Sequence, residues 1–301
     1  MVRREASTNR LYQLSLARPV LVPLALLAIA VFLRVVDIMV LPLAERWGEA
    51  FLHKALGFVL VLAYLWAVGQ SVAAIGLHGR RVGEAMLIGS VGTVLIYVLG
   101  FGLQWLVSRA AGKQPALVVA ATDPKTGLAK PGVTFALWLL LGNVVNSSME
   151  EGLFRGVMLS HFRVRLSPWQ ANVLQAVLFG LWHLAWPIRH LVAGRIDLAA
   201  AVSQSVIIVL GATVSGLAWG YLFLKTDNLW ASWTAHTINN STLNLLHIRT
   251  VDGLDAATAV LYPVMTVGLV ALMLWTRLWA ERLQMPELEP WGSGGKASQS
   301  D

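Results

Sequence analysis

Along this chain, apolar residues gather into runs of about twenty, the length a helix needs to cross the hydrocarbon core of a bilayer. The runs lie at 19–43, 54–76, 84–108, 132–153, 169–186, 201–224, 229–248 and 257–279. The pattern predicts an all-α fold, a polytopic membrane helix bundle with about eight transmembrane helices. Residues 1–18 carry four Arg and one Glu and read as a cytoplasmic N-terminal tail. Residues 19–131 hold the N-terminal transmembrane helices and a long loop. Residues 132–248 form a helical core in which polar groups concentrate, and 249–285 hold the final helix. Residues 286–301, rich in Gly and Ser, read as a disordered tail. An even number of spans puts both ends on one side. With the ends in the cytoplasm, the inner loops carry more Lys and Arg than the outer ones, as positive-inside orientation requires.

Composition sharpens this picture. Hydrophobic residues make up 56% of the 301 and charged residues 13%. The charged share is about half that of a soluble domain, which excludes one. The absence of cysteine excludes a disulfide framework, a thiolate nucleophile and a zinc site with sulfur ligands. The net charge of +7 fits cytoplasmic loops against anionic headgroups. It does not point to nucleic acid, because no basic stripe interleaves with aromatics. Membrane lipid is the expected partner, and no oligomeric state is legible.

Polar groups inside a span cost several kcal/mol each when central, so each needs a reason. Arg34 and Asp37 interrupt the first span, three residues apart, as a pair on one helix face or an interfacial break. The fourth span reads LWLLLGNVVNSSMEEGLFRGVML. Its adjacent carboxylates, Glu150 and Glu151, end a polar stripe that begins at Asn143 and Ser147. Arg155 lies four residues past Glu151, on the same helix face. This is either a helix end with a routine surface pair, or a carboxylate pair whose repulsion prepares one member as a general base. In the fifth span Asn172, Gln175, Phe179, His183 and Trp186 share a face. His183 there is a catalytic candidate or a histidine snorkelling beside Trp186. His190 follows Pro187 and reads as a loop residue. In the seventh span His236, Asn240, Asn244 and His247 fall within roughly 80° on a helical wheel. That stripe is either interhelical glue or a reaction surface. Gly216 and Gly220 form a GxxxG step for close helix packing.

Two Glu, one Arg, two His and one Asn, delivered by three helices, make a hydrolase inventory. A carboxylate takes a proton from water, an imidazole orients that water or protonates a leaving amine, and an imidazole with a carboxamide donates to an oxyanion. Competing intramembrane chemistries lack their motifs: there is no HExxH and no GxSxG. Two other classes are carried alongside, a catalytically silent membrane scaffold or immunity protein and a transporter with polar-lined helices. No repeat symmetry supports the transporter.

Glu150-Glu151-Gly-Leu-Phe-Arg155 matches EExxxR, Phe179-Gly-Leu-Trp-His183 matches FxxxH, and His236-Thr-Ile-Asn-Asn240 matches HxxxN. In this order, over about residues 133–248, the chain resembles the CPBP (CAAX protease and bacteriocin-processing, Abi) family of intramembrane proteases, related to the type II CAAX prenyl endopeptidase. One departure is Asp227-Asn228, where small residues such as Gly-Ser are commoner. The resemblance implies an intramembrane endopeptidase acting on a peptide or a membrane-associated or lipidated protein, in a prokaryotic plasma membrane. It implies Glu150 as the base with His183, and His236 with Asn240 at the oxyanion. Glu151 and Arg155 would hold the first motif, and Phe179 would shape the wall and touch substrate. The residues alone do not rank Glu150 over Glu151. No obligate metal is the reading taken here. Zn2+ held by Glu150, His183 and His236 is the alternative.

Overall fold

The computed structural model describes residues 9–41, 43, 49–123, 128–129 and 132–293. The expected tail segments 1–8 and 294–301, and part of the long loop, lie outside these residues. Helices stand at each position that hydropathy marks. After a short helix α1 (Arg10–Ala17) come α2 (Leu21–Val35, continued by a π-helical turn, Val36–Val40), α3 (Leu52–Ala67) and α4 (Val82–Ala110). Then follow α5 (Val133–Glu150, continued by a π-helical stretch, Glu151–Leu159), α6 (Pro168–Trp182), α7 (Ala185–Val192), α8 (Leu198–Thr226), α9 (Leu229–Leu245) and α10 (Thr258–Arg282). The fold is an all-α bundle. Among the described residues five helical segments are long and apolar enough to cross a membrane, and α3 is a shorter apolar helix. α5 and α9, which carry most of the polar motif residues, fall outside those five.

The bundle is apolar on the outside as well as within. Phe32, Leu99, Leu210 and Leu274 are each more than 60% exposed on helix faces, the arrangement that suits lipid as solvent. The inner packing gathers around the π-helical stretch of α5, whose Phe154, Val157 and Leu159 are fully buried with Phe179, Leu222 and Phe223.

Local chemistry starts the helices that bear the site. Ser167 caps α6 by accepting from Gln170 N at 3.3 Å while the Gln170 carboxamide accepts from Ser167 N at 3.1 Å, with Pro168 first in the helix. Asp197 caps α8 and accepts from Ala200 N at 2.7 Å. Asn228 caps α9, accepting from Trp230 N at 3.1 Å. Asp227, just before it, sits at φ +44°. That left-handed backbone favours glycine, which accounts for the small residue commoner at this position. Burial pushes the Asp227 carboxyl up to about 6.

Small residues set the closest approaches. A Cβ on Gly220 would stand 1.9 Å from Asn172 Oδ1, and one on Gly216 would stand 3.0 Å from Ala176 Cα. The GxxxG step therefore presses α8 against α6. A Cβ on Gly89 would stand 2.1 Å from the Ala231 carbonyl oxygen, so α4 meets α9 backbone to backbone.

Four sequence expectations change. The seventh helix ends at Leu245, and His247 lies in a strand, β4 (Leu246–Thr250), antiparallel to β1 (Ala116–Val119) with Leu117 opposite Ile248. The β-branched residues of both segments favour that pairing. A small sheet therefore replaces part of the expected loop, and a second pair joins β2 (Thr122–Asp123) to β3 (Leu128–Ala129). β5 (Gly253–Leu254) closes the first sheet against β4. His190 lies in the short helix α7, because Pro187 falls in its first turn, where its missing N–H costs nothing. Residues 286–291 do not hang loose. Leu288 and Trp291 are buried, Trp291 stacks on His161 at 4.2 Å, and its Nε1 donates to Ser15 Oγ at 2.9 Å.

Gly89→Ala forces the backbones of α4 and α9 apart and costs about 1–3 kcal/mol. Gly102→Ala, with nothing within 4 Å of its Cβ, is neutral or gains up to about 1 kcal/mol. Thermal unfolding of the two variants in detergent micelles checks the contrast. His247 supplies a pH dependence. Its Nδ1 donates to Asp255 Oδ2 at 2.6 Å, and that carboxylate holds the imidazole above its ordinary value. A raised folded-state value means the stabilisation is complete below the unfolded value of about 6.5 and fades as pH rises through the folded one. Asp255→Asn is therefore expected to destabilise most at pH 5.5–6.5 and least at pH 8.5, read as melting temperature against wild type.

Candidate active site

The first motif sits where α5 passes from α to π geometry. Glu150 closes the α-helical part and Glu151 opens the π-helical stretch. A π turn inside a helix commonly marks a functional position. Both carboxylates point into the bundle, Glu150 at 2% exposure and Glu151 at 0%. They are therefore not a surface pair at a helix end.

Each carboxylate has its own partners. Glu151 Oε1 receives Arg155 Nη1 at 3.1 Å and His236 Nδ1 at 2.8 Å. Arg155, itself fully buried, also donates through Nη2 to the Gly216 carbonyl at 3.4 Å. Its guanidinium lies 4.3 Å from the Phe179 ring centroid and 5.4 Å from that of Trp219. Aromatic faces on this cation replace part of the water it lacks. Glu150 Oε1 accepts from Trp182 Nε1 at 2.8 Å and has Arg34 Nη1 at 3.8 Å, while Oε2 faces His236 Nε2 at 3.5 Å.

His236 therefore bridges the two adjacent carboxylates. Donation of Nδ1–H to Glu151 fixes the ring orientation and turns Nε2 toward Glu150. Trp219 stacks on the imidazole at 4.1 Å and 19°. Asn240 follows one helical turn later and is half-buried. Its Oδ1 accepts from Asn239 Nδ2 at 3.1 Å, so its own NH2 is the donor it has to offer. Asn244 does not join the carboxylates. It accepts from Asn143 Nδ2 at 3.0 Å and ties α9 to α5.

The second motif is held through Phe179. Its ring meets His183 at 4.9 Å and His236 at 6.0 Å, both edge to face. His183 Nδ1 donates to the Phe179 carbonyl at 2.8 Å, which puts the imidazole lone pair on Nε2. His183 is half-buried and immediately follows Trp182, the donor to Glu150.

The structure thus joins Glu150, Glu151, Arg155, Phe179 and His236 directly, sets His183 against Phe179, and carries Asn240 on the same helix as His236. The sequence reading missed Trp182, Trp219, Arg34 and His53. The Arg34 signal was visible as a charge inside an apolar span. Arg34 and Asp37, expected to pair or to mark an interfacial break, also make buried contacts with α3. His53 Nδ1 meets Asp37 Oδ2 at 2.7 Å and Arg34 Nη1 meets His53 Nε2 at 3.0 Å.

Zinc at Glu150, His183 and His236 was the alternative. Among the described residues no three His, Cys, Asp or Glu side chains come together as a metal-holding group. No step below passes through a metal.

The buried pair yields a double-mutant test. Arg155→Met strands Glu151 without its cation and costs about 3–5 kcal/mol. Glu151→Gln with Arg155→Met costs less than Arg155→Met alone, because no charge is left uncompensated. Unfolding of the two single variants and the double variant in detergent measures the difference.

No curated protein and no solved structure matches the chain. Residues 132–242 match the family model described as Rce1-like: Type II CAAX prenyl endopeptidase Rce1-like. The match supports a CAAX-type intramembrane endopeptidase, and with the apolar helices it describes an integral membrane protein. The matched segment contains all three motifs, and it supports a CPBP/CAAX protease family assignment.

Proposed function

We propose that this protein hydrolyses a peptide bond in a membrane-associated or lipidated protein or peptide, with Glu150 and His183 activating water and His236 and Asn240 at the oxyanion. The observation that carries this reading is the bridging of Glu150 and Glu151 by His236. One carboxylate, Glu151, is spent on Arg155 and on His236 Nδ1. The other, Glu150, turns Oε2 toward His236 Nε2. This ranks the two acids by their surroundings: Glu151 positions, Glu150 reacts.

In the reaction, Glu150 takes a proton as water attacks the scissile carbonyl carbon. The lone pair on His183 Nε2 orients the attacking water. Negative charge moves to the carbonyl oxygen, where Nε2–H of a His236 protonated on both nitrogens and the Asn240 NH2 donate to it. The proton held by Glu150 passes to the leaving amine as the C–N bond breaks. Arg155 and Glu151 keep His236 from turning as charge develops beside it. Phe179 forms the wall against which the substrate chain lies. His183 and Asn240 are the half-buried members of the site, so the substrate enters from their side. In this reading the chain sits in a prokaryotic plasma membrane with both ends cytoplasmic, and its partners are lipid and the substrate polypeptide.

Membrane and secreted peptides from cells expressing wild type or Glu150→Gln, at matched protein levels, test the proposal. The expected result is an uncleaved precursor that accumulates in the variant alone. Identical peptide profiles, with a phenotype remaining on deletion of the whole protein, would favour a scaffold or transport role instead.

A further inference from the structure

Three ionisable residues outside the motifs converge on Glu150 from the N-terminal helices. Arg34 on α2 is 3% exposed, Asp37 in the following π-helical turn 0%, and His53 on α3 2%. Such groups within spans are costly and rarely lack a task. The hydrophobic runs around them would have served for packing alone.

Their hydrogen bonds run in one direction. Asp37 Oδ2 accepts from the His53 backbone N at 2.8 Å and from His53 Nδ1 at 2.7 Å. That fixes the tautomer and leaves Nε2 as an acceptor. Arg34 has only donors, and its Nη1 meets His53 Nε2 at 3.0 Å. The same Nη1 lies 3.8 Å from Glu150 Oε1. The flat of the guanidinium rests on the Trp182 ring, 4.3 Å from its centroid, and Trp182 Nε1 donates to that same Oε1 at 2.8 Å. Arg34 thus acts on Oε1 twice, by its charge and by seating the indole that bonds it.

We infer that Arg34, oriented by His53 and Asp37, is a positioning residue that anchors Glu150 by Oε1 and so presents Oε2 as the reacting oxygen. The inference rests on the proposed role of Glu150 as base. A carboxylate with both oxygens equivalent could rotate and share its charge between two directions. With Oε1 held by an indole N–H and a cation, Oε2 alone faces His236. The N-terminal helices, which carry none of the three motifs, then become part of the catalytic apparatus.

The test uses full-length protein in lipid vesicles with a quenched farnesylated peptide ending in a CAAX sequence. Arg34→Gln and His53→Leu are expected to lower kcat about 10–100-fold, the usual cost of losing a group that orients a reacting side chain, with KM within twofold. His53→Gln, whose carboxamide can accept from Arg34 and donate to Asp37, is expected to recover most of the loss. A second readout needs no turnover. The Glu150 carboxylate bands, isolated by infrared difference against Glu150→Gln, are expected to shift in Arg34→Gln and His53→Leu and to return in His53→Gln. Unchanged kcat and unchanged bands in folded Arg34→Gln and His53→Leu overturn the inference. So does a loss of kcat that His53→Gln fails to recover while the bands stay put. If Arg34→Gln does not fold, His53→Leu against His53→Gln decides. Full turnover by Glu150→Gln sinks the base assignment instead, and the bands then decide whether Arg34 anchors the carboxylate. If wild type leaves the peptide intact, the bands again decide: unshifted bands overturn the anchoring.

Discussion

A charge buried among membrane helices must find its counter-charge inside the protein, because the bilayer supplies none. Glu151 and Arg155, both wholly buried, meet that constraint at 3.1 Å. The rest of the site is arranged around the pair. Arg155 reaches the Gly216 carbonyl on α8 and the Phe179 face on α6, while Glu151 reaches His236 on α9. One ion pair on α5 therefore draws three other helices together. Close approach of α6 and α8 is what the small residues Gly216 and Gly220 permit. Packing and charge are thus solved by the same contacts.

The spacing of the second motif has a local cause. Phe179 stands one turn before His183, so its carbonyl takes the Nδ1 proton while its ring faces the imidazole. The same ring meets Arg155 and His236. A large aromatic here packs against a cation and two imidazoles without adding a polar group that would need its own partner. Trp219 and Trp182 extend that logic, one stacking on His236 and the other donating to Glu150. These aromatic side chains pack directly against the charged groups.

Much of this was legible in the sequence because hydropathy and helical periodicity are local signals. Asn143 and Asn244, each placed on a polar stripe of its own helix, do meet across α5 and α9. Glu151 and Arg155 pair as their spacing implied. Other features depend on what a wheel of 100° per residue cannot carry. The π-helical stretch at Glu151–Leu159 has a different angle per residue. The end of α9 at Leu245 is set by pairing of β4 with β1, more than a hundred residues earlier in the chain, so His247 leaves the stripe. Arg34 and Glu150 are likewise joined only by the fold. A charge within a span announces that a partner exists without saying where.

The site has a closed, fully buried side and an open, half-buried side, and in the proposed mechanism this asymmetry carries weight. Glu151, Arg155 and the Trp182 indole belong to the closed side. There, charges are paired in the resting protein and no water has to reorganise when a proton moves. His183 and Asn240, half-buried, belong to the open side, from which the proposed reaction has the peptide and a water molecule enter. His236 stands between, with one nitrogen committed to the closed side and the other facing Glu150. A substrate carbonyl arriving from the open side meets donors whose orientation was fixed before it came. In the proposed reaction, electrostatic stabilisation of the oxyanion then depends less on motions of the open side than on the rigidity of the closed one.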